Sequence, residues 1–462
     1  MKLWNSFLNS SIISWIGWIL IPLIMEIIPV CVNFIILIKR KLMRKQYREL
    51  TFLPEINLII PVYNSAASLE RCLSSVYASD YDLSKIMVML VDNGSVDNSY
   101  EVYQECRKKW PELRMTWDTS AQGKAKALNK ALYNCDGKYI IHIDSDGVLH
   151  PQAIRNIVTM FENELDVHCL TGTVLTNMEM IEETKRKGMR MLRRAEFFEY
   201  CQSFLGGRNF QSEFNSIFTL SGAFSAFRKS AILKTQMYNT ETVCEDTHIT
   251  FQIRENLNKK IMLCDNAIFY VDPIEDVNRL YTQRQRWQKG ELEVIHMFDE
   301  RLHAVRGFAM NFVIRLLMYD HTFAFPRMIW YFALMFLAAV NYPWQLVVIS
   351  LVIIYLLYVF SGLLYLISDV LFLSSFPEIR RYHAKHWYMI FLHPMFNFVV
   401  FWFRFAGIIN SIRGKQSWRT RTLTEEGKAL LGVIRKDLDG IGQLTKKVQK
   451  RLSYSKGTLE RE

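Results

Sequence analysis

Between residues 51 and 298, short apolar runs alternate with amphipathic segments that have a helical period. The apolar runs predict strands: EINLIIPVYN (Glu55–Asn64), KIMVMLVDNG (Lys85–Gly94), LRMTWDT (Leu113–Thr119) and KYIIHIDSDG (Lys138–Gly147). The segments between them predict helices: SLERCLSSVYAS (Ser68–Ser79), SVDNSYEVYQECRKK (Ser95–Lys109) and KAKALNKALYNC (Lys124–Cys135). Strands and helices that take turns are joined by right-handed crossovers. The pattern therefore predicts an α/β fold with a parallel, doubly wound sheet.

Long apolar stretches flank this region and are candidates for crossing a membrane. The four stretches are Ser11–Ile38, Phe323–Tyr342, Leu346–Leu373 and Trp387–Asn410. The basic run Lys39–Arg48 predicts that the residues after the first stretch are cytoplasmic. Four crossings would then place the basic segment Ser411–Arg421 outside, so we expect one stretch, most simply the last, to lie along the interface or re-enter. The alternative is that these stretches are long core helices.

The chain thus divides into four predicted parts. Residues 1–48 form an N-terminal transmembrane helix with a basic juxtamembrane segment, and residues 51–300 form the α/β domain. Residues 301–411 form a C-terminal membrane block, which begins with an amphipathic segment at His303–Asp320, and residues 412–462 form a polar tail. A composition of 50% hydrophobic and 22% charged residues excludes a disordered protein.

The charge and the cysteines indicate which partners and which cellular compartment to expect. The net charge of +11 is compatible with anionic lipid, phosphorylated substrates or nucleic acid, but much of it flanks the apolar stretches, which favours a membrane partner and no nucleic acid. The eight cysteines occur singly, without the spacing of a zinc site. We therefore expect reduced thiols in a cytosolic setting.

Polar residues follow three of the predicted strands at their carboxyl ends. They are Tyr63 and Asn64 after the first, Asp92, Asn93 and Ser95 after the second, and Asp144 and Asp146 after the fourth. In a doubly wound sheet these ends meet at one crevice, where such folds bind ligands. A single aspartate after a strand also caps helices, which is an equal alternative for Asp97.

Asp144 and Asp146 are separated by one serine and can approach a single point. Two such carboxylates repel each other unless a cation lies between them, and Mg²⁺ or Mn²⁺ binds oxygen ligands while leaving positions open for phosphate. The pair therefore predicts a site for a metal-bound diphosphate. Two turn-forming aspartates are the alternative.

Several motifs occur in an order that resembles the membrane-embedded family 2 glycosyltransferases, which include cellulose, hyaluronan and poly-N-acetylglucosamine synthases. The motifs are IIPVYN, VDNGSVDNS, GKAKALN, DSD, the acidic pair Glu245 and Asp246 in VCEDTHIT, and QRQRW from Gln283 to Trp287. The resemblance covers roughly residues 51–300 and implies a GT-A (Rossmann-like) domain accompanied by transmembrane helices. SGAFSAFRK (Ser221–Lys229) resembles the family loosely, with Gly222 permitting close backbone approach.

The resemblance also implies a role for each residue of the site. Nucleotide-sugar binding is expected from Tyr63, Asn64, Asp92, Lys124 and Asp144, with Asp92 accepting from the uracil and Asp146 as the more direct metal ligand. Asp246 corresponds to the base that deprotonates the acceptor hydroxyl in an inverting transfer, and Glu245 assists. Acceptor and diphosphate contacts are expected from Glu245 and from Gln283, Arg286 and Trp287, and the last three share one helical face.

The implied function is transfer from a UDP-sugar to a growing polysaccharide that is exported through a bacterial cell membrane, with the catalytic domain in the cytoplasm and Mg²⁺ or Mn²⁺ as cofactor. Two alternatives stay open. The chain adds one sugar to a lipid such as a polyprenyl phosphate or diacylglycerol, or it is a non-catalytic subunit of a glycan synthesis and export system. Partner subunits are compatible with each of these.

Overall fold

A computed structural model describes residue 20 and residues 23–298, 324–339, 343–413 and 422–426. The predicted amphipathic segment His303–Asp320, most of the first apolar stretch and most of the polar tail lie outside these residues. All eight cysteines are free thiols, as expected for a cytosolic setting.

The centre of the described structure is one eight-stranded sheet. Its strands are β1 (Ile56–Val62), β2 (Ile86–Asp92), β3 (Arg114–Thr119), β4 (Tyr139–Ile143), β5 (Val148–Leu149), β6 (Val167–Thr176), β7 (Phe224–Arg228) and β8 (Lys260–Val271). They are ordered β3-β2-β1-β4-β7-β6-β8-β5. The four strands predicted from the sequence are confirmed, and they are mutually parallel as expected.

The expectation of a wholly parallel sheet is wrong. Strand β7 runs antiparallel to both β4 and β6, and β5 runs antiparallel to β8. Since β6 and β8 are parallel to each other, six strands point one way and two point back. The carboxyl ends of β4, β6 and β8 therefore lie at the same edge of the sheet, which brings the segments after Ile143 and Val271 together.

Helices cover both faces of the sheet and extend beyond it. The α-helices are α1 (Ile28–Leu42), α2 (Leu69–Tyr77), α3 (Ser99–Lys109), α4 (Lys124–Tyr133), α5 (Ala153–Asn163), α6 (Met178–Glu182), α7 (Lys187–Tyr200), α8 (Arg208–Glu213), α9 (Lys229–Ile232), α10 (Glu245–Phe251), α11 (Val277–Met297), α12 (Ala324–Ala339), α13 (Trp344–Phe372), α14 (Pro377–Lys385) and α15 (Met389–Arg413). Single π-helical stretches span Leu23–Ile27, Cys201–Gly207 and Gln252–Asn256, and 3₁₀ turns span Leu83–Lys85 and Leu373–Ser375.

Alternate residues of the central strands pack into two cores. Leu58 and Ile60 of β1 belong to a core that includes apolar residues of α2, α3 and α5, whereas Ile59 belongs to a core that includes those of α4 and α10. All seven residues of β1 are buried, because helices cover both faces. This sandwiching explains the nearly continuous apolar runs in the sequence.

Two described helices are long and apolar enough to cross a membrane, at Trp344–Ser375 and Met389–Asn410. Both correspond to predicted stretches. The second lies within Trp387–Asn410, the stretch that we expected to cross the membrane least completely. A third core joins Leu37 of α1 to residues of α7, α13, α14 and α15. The basic run after the first stretch contacts the sheet domain through Arg40–Glu213 (2.7 Å), Arg44–Asp265 (2.8 Å) and Lys45–Glu164 (3.0 Å).

One predicted helix begins later than expected. The Ser95–Lys109 pattern forms a helix only from Ser99 onward, because the preceding residues form a turn around Asp97. The Asp97 carboxylate accepts hydrogen bonds from the amides of Ala66 and Ser99. Asp97 thus forms a turn through its side chain just before the helix, whose N-cap is Asn98.

Candidate active site

A cavity of about 320 Å³ opens at the carboxyl edge of the sheet, between the strand ends and helix α11. Small-molecule sites are typically concave and measure about 300–1,000 Å³. Eight of the predicted site residues line it: Lys124, Asp144, Asp146, Glu245, Asp246, Gln283, Arg286 and Trp287. Residues that are up to about 160 positions apart in the sequence therefore converge as predicted.

Lys124 and Asp144 form an ion pair at the floor of the cavity. Lys124 is the first residue of α4, and its Nζ donates to Asp144 Oδ1 at 2.5 Å and to the Gly222 carbonyl at 3.0 Å. Although burial opposes ionisation, the charge of Lys124 holds the pKa of Asp144 well below its usual value. Asp144 is therefore an anion that already has a cationic partner.

Asp146 differs from Asp144 in its surroundings. Among the described residues its carboxylate forms no ion pair and accepts no hydrogen bond from another side chain, and the side chain is accessible from the cavity. Removal from bulk solvent, followed by the charge of Asp144, raises the pKa of Asp146 to about 6. Asp272, directly after β8, lines the same cavity, and Arg71 binds its carboxylate at 2.6 Å. Because Asp272 is already paired with Arg71, the Asp146 carboxylate gains most from a bound cation.

The residues fit a divalent metal that is shared with a ligand. The described residues contain no group of three His, Cys, Asp or Glu side chains arranged to hold a metal by themselves. Mg²⁺ and Mn²⁺ sites often use one or two carboxylates and complete their shell with phosphate oxygens and water. The carboxylate of Asp146, which has no ion-pair partner among the described residues and lies beside Asp144, suits that arrangement.

Glu245 and Asp246 begin α10 and face the same cavity. Burial raises the pKa of Glu245 to about 7, although Lys124, whose Nζ is 3.8 Å from Glu245 Oε1, acts in the opposite direction. Asp246 Oδ1 accepts from its neighbour's amide, that of Thr247, at 2.7 Å. Asp246 Oδ2 lies so close to Gly222 that a Cβ there would be 2.9 Å away. Glycine at 222 thus leaves room for the second carboxylate oxygen.

Helix α11 supplies one wall of the cavity. Asp276 caps its start by accepting the Arg279 amide at 2.8 Å, and the helix ends at Met297. Gln283, Arg286 and Trp287 all line the cavity, which places the three side chains on the same side of the helix. The Trp287 ring packs at 80° to that of Phe204, with centroids 6.3 Å apart. The cavity therefore has a guanidinium and a flat aromatic surface on one side.

Tyr63, Asn64 and Asp92 lie at the same sheet edge but do not line this cavity. Val62 and Asp92 pair in register, which places the three residues side by side. Asn64 Oδ1 accepts the Val96 amide at 2.9 Å, and Asp92 Oδ1 accepts the Ser95 amide at 3.0 Å. Ser65 and Ser145 hydroxyls, 2.7 Å apart, join this loop to the Asp144 loop.

Six further charged residues belong to the site and were not found from the sequence. Glu199, Arg208, Asp272, Glu291 and Arg404 line the cavity, and Arg284 is fully buried directly behind it. Arg208 Nη1 donates to Thr171 Oγ1 at 2.9 Å, and Arg404 comes from α15, one of the two apolar helices. Of these residues, only Arg284 could have been identified from the sequence, because it lies within the QRQRW motif. The others meet the site through tertiary packing alone.

Comparison with known proteins gives related sequences. Residues 57–235 match the family Glycosyl transferase family 2. A poly-β-1,6-N-acetyl-D-glucosamine synthase of Staphylococcus epidermidis is 25% identical over 244 residues, which cover 52% of this chain and 55% of that protein. The synthase of the same name from Staphylococcus aureus strain COL is 23% identical over 240 residues, with the same coverage of 52% and 55%. The chain thus spans about half the length of the curated relatives it matches.

A solved structure resembles most of the chain. It is a mannosyltransferase from Pyrobaculum calidifontis in complex with GDP-Man and Mn²⁺, with a TM-score of 0.54 and 16% identity. The match covers 88% of this chain and 98% of that one. At this identity the likeness concerns the fold.

Proposed function

We propose that the chain transfers sugar from a UDP-sugar to a growing polysaccharide with inversion at the anomeric carbon, in keeping with the match of residues 57–235 to Glycosyl transferase family 2. The α/β structure is GT-A-like with a mixed sheet. In this proposal the chain is an enzyme rather than a non-catalytic subunit. One observation carries the proposal: Lys124 with the two aspartates, the acidic pair of α10, and the face of α11 that bears Trp287 all line one cavity.

We assign the floor of the cavity to the sugar donor. We place the diphosphate against Asp146 and Lys124, where a helix N-terminus adds a favourable field for anions. The nucleoside then extends along the sheet edge toward Asp92, Asn64 and Tyr63, which lie outside the cavity but adjoin it through the Ser65–Ser145 contact. The names of the matched synthases make UDP-N-acetylglucosamine the first donor to test.

Asp144 and Asp146 would hold Mg²⁺ or Mn²⁺. A bound metal acts as a Lewis acid toward the leaving diphosphate, which removes the need for a protein acid there. Support comes from the unpaired Asp146 carboxylate and from the Mn²⁺ in the mannosyltransferase complex of similar fold.

The transfer step is assigned to Asp246. Its Oδ2 accepts the proton of the acceptor hydroxyl, whose oxygen bonds to the anomeric carbon as the bond from that carbon to the diphosphate oxygen breaks. Attack from the face opposite the diphosphate inverts the configuration. Glu245, with its pKa raised to about 7 by burial, lies beside Asp246 and is placed to assist.

The acceptor half is assigned to α11. Trp287 offers a face on which a sugar ring stacks, and Arg286 and Gln283 donate to its oxygens or to the diphosphate. A lipid acceptor is the second candidate, and one observation favours it: Arg404 of α15 brings a helix of membrane-spanning length to the cavity wall. Product size separates the two candidates.

The proposed setting is a bacterial cell membrane with the catalytic domain on its cytoplasmic face. It is supported by two helices of spanning length and by Arg40 of α1 and Arg44 just after it, which form ion pairs with the sheet domain. Partner subunits of an export system remain part of this proposal. The four predicted segments, 1–48, 51–300, 301–411 and 412–462, are retained as its domain division.

The experiment uses the purified full chain in lipid nanodiscs with Mn²⁺ or Mg²⁺. UDP release is measured for a panel of UDP-sugars, and products are sized on a gel. Release with one donor and a ladder or high polymer supports polysaccharide synthesis. A single discrete glycolipid would favour the lipid acceptor, and no release with any donor would contradict a UDP-sugar substrate.

A further inference from the structure

Helix α11 carries two arginines in QRQRW that face opposite environments. Arg286 is exposed at the cavity, whereas Arg284 is completely buried. A buried guanidinium is costly unless it is paired, so its partners reveal what it does. Arg284 is not among the residues that contact the cavity, and the function assigned above gives it no role.

The partner of Arg284 is Glu199, near the end of α7. Arg284 Nη2 donates to Glu199 Oε2, and Glu199 lines the cavity. The other oxygen, Glu199 Oε1, lies 3.7 Å from Nη2 of Arg404 on α15. One carboxylate thus joins three helices: α7, α11 and α15.

The guanidinium of Arg284 also contacts Trp287 and Gln283, two of the residues assigned to the acceptor. Its Cζ lies 4.3 Å from the centroid of the Trp287 ring, within cation–π range. Its Nη1 donates to Gln283 Oε1 at 3.2 Å. Arg284 therefore supports the tryptophan from behind and fixes the amide orientation of Gln283, while Glu199 fixes Arg284.

From these contacts we propose that Glu199 and Arg284 are positioning residues that hold Trp287 and Gln283 in the geometry needed to bind the acceptor. Arg404 connects this support to α15, so the acceptor wall is anchored to a helix of membrane-spanning length. The inference rests on the proposed function, because it assigns the α11 face to the acceptor. It predicts that disrupting the pair weakens acceptor binding and leaves donor binding intact.

The test measures two binding constants by calorimetry on the full chain in nanodiscs with Mn²⁺. The ligands are UDP and, at saturating UDP, a β-1,6-linked N-acetylglucosamine oligosaccharide. The main variant is the double substitution Glu199→Gln with Arg284→Met, which removes both charges and leaves neither one buried alone. We expect its oligosaccharide Kd to rise about tenfold and its UDP Kd to stay unchanged.

The matched control removes an ion pair of the same type from the same helix. Arg194 of α7 pairs with Glu182 at 2.6 Å, and neither residue lines the cavity. The double variant Arg194→Met with Glu182→Gln should leave both binding constants unchanged. A structural loss common to α7 would instead raise the UDP Kd in both double variants.

Arg284→Lys gives a second arm if the first double variant fails to bind UDP. Lysine keeps the charge but lacks the planar fork that reaches Glu199 and Gln283 while stacking on Trp287. We expect a UDP Kd like that of the wild type and an oligosaccharide Kd several-fold higher. Glu199→Asp, which keeps the carboxylate, should restore most of the affinity that Glu199→Gln loses.

Equal oligosaccharide affinity in the wild type and in a variant that still binds UDP would overturn the positioning role. Failure of the wild type to bind any oligosaccharide would overturn it as well. The proposed function fails differently, through absence of sugar transfer by the wild type. Binding without transfer, lost in the variants, would therefore uphold the positioning pair and reject the polymerase assignment.

Discussion

Lys124 Nζ and Asp144 Oδ1 are 2.5 Å apart, and this pair joins the start of α4 to the end of β4 at the cavity floor. Lys124→Met would leave Asp144 without its cation, and the pKa of Asp144 would rise toward its usual value. Because the lysine also lies where we place the diphosphate, we expect turnover of the UDP-sugar to fall about 10²-fold. UDP-release kinetics measure this, and Lys126→Met, on the exposed face of the same helix, serves as control. Equal losses in both variants would contradict the assignment.

Metal binding should depend on pH through Asp146. Its pKa, raised to about 6 by removal from bulk solvent and by the Asp144 charge, means that protons compete with the metal as the pH falls through that value. Mn²⁺ affinity in the presence of UDP, measured by calorimetry, should therefore weaken between pH 7.5 and pH 5.5. Asp146→Asn should bind Mn²⁺ weakly at both pH values, while Asp118→Asn, at a distant surface pair, should behave like the wild type. Tight, pH-independent binding by Asp146→Asn would exclude it as a ligand.

The buried acid Glu245 should make the metal-free protein less stable at high pH. Its pKa is raised by burial from the usual 4.5 to about 7, so the folded state holds a proton that the unfolded state has released. The free energy of unfolding therefore falls as pH rises from about 4.5 to about 7. Glu245→Gln removes this contribution, so the variant should gain stability over the wild type by up to about 3 kcal/mol at pH 8 and show little difference at pH 4.5. Thermal unfolding in EDTA at both pH values tests this, and a constant difference would contradict it.

Close packing within the sheet should make Gly172 intolerant of substitution. A Cβ at Gly172 would lie 2.0 Å from Cδ1 of Phe224, across the β6–β7 pair, where neither strand can move freely. We expect Gly172→Ala to cost about 1–3 kcal/mol, as overpacking usually does. Gly188→Ala is the matched control, because nothing lies within 4 Å of the added methyl and α7 favours alanine. The two midpoints of thermal unfolding in detergent should therefore separate, with Gly172→Ala lower.

Strands β1 to β4 could be predicted from the sequence because each is a run of apolar residues between turn signals. Strands β5 and β7 could not be predicted in this way. Val148–Leu149 is only two residues long, and Phe224–Arg228 is a short run that its length does not distinguish from apolar runs in other segments. Their antiparallel direction depends on pairing with β8, β4 and β6, which no local pattern encodes.

The same division holds in the site. Asp144 and Asp146 were found from their spacing, and Asp246 and Trp287 from motifs that resemble a known family; the structure brings all four to one cavity. Glu199 and Arg404 are separated from Arg284 by 85 and 120 residues, and only the packing of α7 and α15 against α11 brings them together. Roles that depend on such long-range ion pairs are not visible in a single sequence.

The role of Asp246 as the base is tested most directly by comparing acceptor-dependent transfer by Asp246→Asn and by the wild type. Both are measured in the same nanodiscs with UDP-N-acetylglucosamine and Mn²⁺. Asparagine fills the space beside Gly222 but cannot take the acceptor proton. We expect UDP affinity within about threefold of the wild type, since each tenfold change would need about 1.4 kcal/mol. We also expect transfer to be reduced by about 10²–10⁴-fold. Transfer at the wild-type rate by Asp246→Asn would contradict its role as the base.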